Sequence, residues 1–213
     1  SPELSMKKLL AAGERKIFYL GPCFRNREQG SLNTTEFTML EWYRVQDSYE
    51  KLMEDASEIL RLACTRTGQK FVSWQGRTAI PQDPIETLSV SEAFSRYAGI
   101  NLQITLPQGC ETGDRNALAI QAEKAGISVH SADTWSDLFA RLLTALIEPK
   151  LGLGQATFLT HYPTVESALA RTCQHDSRFA ERFELYCCGV EVANGFGELT
   201  DPIQQRINFQ RNM

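Results

Sequence analysis

Two runs that read as β-strands carry acids on faces that are otherwise apolar, and no other feature limits the chain as much. In residues 36–43, alternation puts Phe37, Met39, Glu41 and Tyr43 on one face and Thr38, Leu40 and Trp42 on the other. An ionised carboxylate among aromatic rings is costly unless it is paired. Glu41 therefore calls for a cation, either an internal one such as Arg44 or Lys7, or one brought by a ligand. The second run, residues 182–196, contains Cys187-Cys188-Gly189, which suits a tight turn. If the loop is Cys187-Cys188, Glu184 faces Glu191 across the ladder. Like charges so placed are destabilising, and a divalent cation between them reverses the sign. A slip of one residue instead leaves both acids solvated. Further on, Asn194, Phe196 and Glu198 alternate on one face. Each strand thus presents an acid beside an aromatic ring, which suits either a pocket with an ammonium-binding end or a core with two satisfied acids.

Between these runs the pattern is helical. Residues 1–12 read as a helix capped by Ser1, with Pro2 in the first turn and Gly13 at the stop. Residues 17–20 are strand-like. Residues 24–28 and 36–43 read as two strands around a polar connection that contains Gly30 and Asn33. Asp47 with Glu50 forms a capping box for a helix whose stripe is Leu52, Met53, Ala56, Ile59, Leu60 and Ala63. Residues 71–154 hold helix candidates at 91–98, 115–125 and 134–148, the last with Trp135, Leu138, Phe139, Leu142 and Leu146 on one side. Residues 157–160 return to strand character, and Asp201-Pro202 opens a last helix.

Arg25 complements the acids. It precedes the polar connection, where a guanidinium can grip a carboxylate or phosphate with two parallel hydrogen bonds. No G-x-x-x-x-G-K-[ST] and no strand-borne G-x-G-x-x-G occurs, so P-loop and Rossmann readings lack support. A length of 213 residues with 42% hydrophobic content is enough for one core, with or without an insertion. The net charge of -4 and pI of about 5.5 argue against this segment gripping nucleic acid by itself. No apolar run approaches the length of a membrane helix, and the start lacks signal-peptide character. The six cysteines have no metal-site spacing and are expected to be reduced cytoplasmic thiols.

Phe24-Arg25-Asn26 followed by Glu36-Phe37-Thr38-Met39-Leu40-Glu41-Trp42-Tyr43-Arg44 resembles motif 2 of class II lysyl-tRNA synthetases. Residues 182–186 and 191–201, the latter containing Asn194-Gly195-Phe196-Gly197-Glu198, resemble the lysine-binding strands of that group, and Ser1-Pro2-Glu3 resembles the segment before motif 2. Glu41-Trp42-Tyr43-Arg44, Ala193 and Glu198-Leu199-Thr200-Asp201 are more similar to the elongation factor P lysine ligase branch. The resemblance implies an α+β fold, a mostly antiparallel sheet flanked by helices, with residues 1–213 as the central part of one catalytic domain and a helical stretch at about 71–154. It implies ATP-dependent activation of lysine or β-lysine with Mg²⁺, and elongation factor P as acceptor in preference to tRNA. Arg25, Glu28, Asn33, Phe37, Glu184 and Glu191 would bind ATP, with Arg25 catalytic and both Glu184 and Glu191 holding the metal. Glu3, Glu41, Tyr43, Asn194, Phe196 and Glu198 would bind the amino acid. A homodimer is implied for the full-length protein.

The chain departs from that pattern in the motif 2 loop. Arg27 stands where the group usually has Glu, with Glu28 one position late, and Asn33-Thr34-Thr35 replaces His-Asn-Pro. The regions corresponding to motifs 1 and 3 fall outside residues 1–213, so the resemblance implies a protein roughly half as long again.

Overall fold

The computed structural model describes residues 2–109 and 112–211. The cap assigned to Ser1 lies outside the described residues. The chain forms two compact units, residues 1–48 and 49–213.

The first unit is a helix followed by a long hairpin. Helix α1, Glu3–Ala11, is tied by a Glu3–Lys7 ion pair of 2.7 Å one turn apart. Strand β1, Lys16–Phe24, pairs antiparallel with β2, Glu36–Arg44, in unbroken register from Lys16↔Arg44 to Phe24↔Glu36. The strand expected at 24–28 is not formed. β1 ends at Phe24, and Arg27 takes a left-handed φ of 65° that breaks extended geometry. Arg25 therefore opens an eleven-residue loop, closed at its base where the Arg25 amide donates to the Thr35 carbonyl at 2.9 Å.

The second unit begins with α2, Tyr49–Arg66, two residues after the expected cap; Asp47 instead pairs with Arg44 at 3.2 Å. A small sheet follows: β3 (Val72–Trp74), β4 (Arg77–Ile80) and β6 (Gly154–Gln155), in the order β3-β4-β6. The main sheet has the order β5-β7-β8-β9, built from Glu86–Ser89, Thr157–Pro163, Phe179–Cys187 and Val190–Phe196. β5 runs parallel to β7, and the other neighbours are antiparallel. This mixture of helices and largely antiparallel strands is α+β.

α3 (Val90–Ala98) packs on β5 and β7, and α4 (Arg115–Lys124) and α5 (Trp135–Leu142) pack on each other and share one buried cluster with this sheet. α3 starts with a full capping box between Ser89 and Glu92, and α5 with one between Thr134 and Asp137. The expected helix at 134–148 is continuous but changes pitch after Leu142, passing into a π-helical turn at Leu143–Ile147. Leu88, Leu159, Tyr162 and Tyr186 of the sheet pack with Phe94, Leu118, Leu138 and Phe139 in one buried cluster. Phe139 stacks on both Phe94 and Trp135, with ring centroids 5.2 and 5.1 Å away. On the opposite face Phe183 meets Phe158 edge-on.

The last described element is α6, Pro202–Arg211, capped as expected by Asp201, whose carboxylate accepts from the Ile203 amide at 2.8 Å. Among the described residues no helix is long and apolar enough to cross a membrane.

Candidate active site

Alternation along the β1–β2 hairpin produces two unlike faces. Phe37, Met39, Glu41 and Tyr43 face the same way as Tyr19 and Cys23 and are half-buried, whereas Phe18, Leu20 and Leu40 point to solvent. On the half-buried face the Tyr43 hydroxyl donates to Glu41 at 3.0 Å. The loop and the start of β2 border an open cavity of about 200 Å³, lined by Arg25, Glu28, Leu32, Asn33, Thr34 and Phe37. Three loop residues expected to bind ATP, Arg25, Glu28 and Asn33, therefore surround one cavity with Phe37 of β2. Arg25 lies over the Phe37 ring at 5.4 Å and within 3.5 Å of Glu28, with both charged groups about half exposed. Such a loose, solvated pair leaves the guanidinium able to exchange its partner for a phosphate or carboxylate.

In the second unit, the hairpin β8–β9 turns on Cys188-Gly189. Both residues have positive φ, 59° and 79°, the requirement of a two-residue type I′ turn. This corrects the expected facing of Glu184 and Glu191. Glu184 pairs with Asn194, and Glu191 pairs with Tyr186. Two effects move the register: the turn is one residue later than the Cys187-Cys188 loop, and Val192 is an extra residue, bulged between Glu191 and Ala193. Direct carboxylate repulsion across the ladder is thereby avoided. Both acids still lie on one face, Glu184 buried and Glu191 exposed. Asn194 and Phe196 follow on that face, opposite Glu184 and Arg182, and Glu198 lies beyond the strand in a bridge with Ala170. Gly195 is required where it stands, because a Cβ there would sit 2.6 Å from the Phe183 ring.

Glu184 is only 5% exposed and carries a full set of local donors. Arg182 contacts one carboxylate oxygen at 2.6 Å. The hydroxyls of Tyr162 and Tyr186 both donate to the other, Tyr186 at 2.6 Å. Burial, followed by the charge of Glu184, pushes both tyrosine hydroxyls well above their usual range. Glu148 lies 3.4 Å from the Tyr186 hydroxyl, and its carboxyl is raised first by burial and then by Glu184. A second cavity of about 200 Å³ opens here, lined by Phe139, Leu143, Glu148, Tyr162, Arg182 and Glu184, among others.

Sequence reasoning missed Arg182, Tyr162 and Tyr186 as partners of Glu184. Arg182 and Tyr186 were within reach, being two residues either side on the same strand face. Tyr162 gave no such signal.

Among the described residues no group of three or more His, Cys, Asp or Glu side chains is placed to hold a metal ion. Two acids on one sheet face fit a Mg²⁺ that arrives with nucleotide phosphates and keeps most of its water.

Comparison with known proteins agrees with this architecture. The profile of the tRNA synthetases class II (D, K and N) matches residues 1–213. Three relatives named elongation factor P–(R)-β-lysine ligase align with the whole chain. The protein of Proteus mirabilis is 37% identical, that of Photorhabdus laumondii 38% and that of Hamiltonella defensa 36%. The chain spans 58% of the length of each. The chain belongs to the family of class II tRNA synthetases (D, K and N).

Proposed function

We propose that this chain is the central part of the catalytic domain of an ATP-dependent, AMP-forming ligase that activates lysine or β-lysine and transfers it to a lysine side chain of elongation factor P. The observation that carries the reading is the loop cavity, where a loosely held guanidinium and an aromatic ring stand together. A ring suits adenine, and a guanidinium suits both the α-phosphate and the carboxylate that attacks it. The relatives' printed name supports the choice of amino acid and acceptor.

In this reading the substrate carboxylate attacks the α-phosphorus, the bond to the β-phosphate breaks and pyrophosphate leaves. The acceptor amine then attacks the acyl carbon, AMP leaves and the amine proton passes to solvent. Catalysis is by placement and charge stabilisation rather than by a general base. Arg25 holds the α-phosphate and carboxylate, Phe37 stacks on adenine, and Glu28 and Asn33 contact the nucleotide. Glu184 and Glu191 would hold a Mg²⁺, which would supply positive charge to offset that of the phosphates. Glu41, Tyr43 and Glu198 receive the side-chain ammonium, Glu3 the second amino group and Asn194 the carboxylate, while Phe196 lines the pocket. Two copies associate in the full-length protein, in the cytoplasm. The acidic net charge favours a protein acceptor over tRNA.

The altered loop, with Arg27 and Asn33-Thr34-Thr35, favours one second reading: a lysine-binding relative that does not activate ATP. Exchange of labelled pyrophosphate into ATP by the complete gene product separates the two. Exchange that depends on lysine or β-lysine, and that loses this selectivity in Glu198→Gln, is expected. Lysine binding without exchange would establish the second reading.

A further inference from the structure

The sheet face around Glu184 holds residues that the adenylation reading does not use. At 5% exposure Glu184 is too deep for water to balance its charge. An ionised carboxylate offers about four acceptor positions, and the donors from Arg182, Tyr162 and Tyr186 occupy three of them. The remaining position is on the oxygen bound to Arg182. Any ligand reaching Glu184 meets that single oxygen, in a direction its three donors fix.

Arg182 is itself held firmly. Its second terminal nitrogen donates to the Glu166 carbonyl at 2.7 Å, and its guanidinium lies 4.4 Å over the Tyr162 ring. Tyr162 reaches this position through a break in β7. Plain alternation would put it on the face of Thr160, away from Glu184. Between Thr160 and Tyr162 the ladder slips, and His161 adopts a left-handed φ of 56°. Tyr162 is thereby turned to the face of Leu159 and Glu184. A side chain re-aimed by a strained ladder residue is a feature that the surrounding structure must hold in place.

We propose that Arg182 and Tyr162 are positioning residues that compensate and aim Glu184 for its contact with Mg²⁺-bound ATP. This rests on the adenylation reading, in which Glu184 makes that contact.

The test uses the complete gene product and measures lysine-dependent pyrophosphate exchange, the KM for lysine and for ATP·Mg²⁺, and thermal melting. Arg182→Gln is expected to lower kcat by about 10- to 100-fold, with the lysine KM changed by no more than about two-fold. Arg182→Lys keeps the charge but loses the planar fork, and recovers part of the activity. Tyr162→Phe keeps the ring under Arg182 and removes one hydroxyl, giving a smaller loss of the same kind. Wild-type kcat in Arg182→Gln overturns the assignment. So does a loss that Arg182→Lys does not relieve and that follows the folded fraction while both KM values rise together. If Arg182→Gln does not fold, Tyr162→Phe decides, and an unchanged kcat there overturns the proposal. Absence of exchange in the unsubstituted protein defeats the adenylation reading first, and this assignment with it.

Discussion

The loop over the β1–β2 hairpin and the sheet around Glu184 present charge in opposite ways. Arg25 and Glu28 are about half exposed and 3.5 Å apart, whereas Arg182 and Glu184 are largely buried and 2.6 Å apart. An exposed pair contributes about 0–1 kcal/mol. A buried pair is expensive to break, because the charge left behind has no water. The loop charges are therefore free to change partner when a ligand arrives, while the sheet acid is organised before it. Fold stability should be insensitive to loss of charge in the first region and sensitive to it in the second.

Paired substitutions test that separation most strongly. Arg182→Ala is expected to destabilise the protein by about 3–5 kcal/mol, by stranding Glu184. Arg25→Ala should change stability by less than about 0.5 kcal/mol while reducing pyrophosphate exchange by about 10²–10³-fold. Chemical denaturation and exchange kinetics on both variants read this directly; equal stability losses would erase the contrast.

Gly195→Ala sharpens it in the sheet alone. The new methyl meets the Phe183 ring, and a cost of about 1–3 kcal/mol is expected by thermal melting. Ser89→Ala removes one side of the α3 capping box and should cost about 1 kcal/mol without changing the lysine KM.

The smallest effect concerns pH. The folded-state pKa of Glu148 is raised by burial and by Glu184, so the fold holds that proton more tightly than the unfolded chain does. Its contribution is fully present below the ordinary glutamate pKa and is lost as pH rises through the raised value. Glu148→Gln should flatten this slope in denaturation measured across that range. A slope unchanged in the variant would assign it elsewhere.

The sequence revealed the strands and helices more readily than their registers. Period-two patterns exposed β2, β8 and β9, apolar stripes exposed α2 and the helix from Trp135, and α3 lies within one residue of the expected 91–98. The short strands β3, β4 and β5, three or four residues each, carry too little alternation to be seen. The pairing of Glu184 with Asn194 depends on Cys188 accepting a left-handed conformation and on one bulged residue, Val192, and neither changes composition. A one-residue shift reverses which face every side chain takes, so the facing of two acids could not be read from spacing. Tyr162 was hidden for the same reason, its face being set by the break at His161. The gathering of Arg25, Glu28 and Asn33 of the loop with Phe37 of β2 at one cavity agrees with the motif 2 resemblance, although Arg25 was expected in a strand rather than at the mouth of a loop.

The most direct measurement offers elongation factor P and lysine tRNA together to the complete gene product, with ATP, Mg²⁺ and each lysine isomer in turn. Mass spectrometry then examines both acceptors. A lysyl-type adduct on a lysine of elongation factor P and none on the tRNA is the expected result. Charged tRNA with unmodified elongation factor P would contradict it.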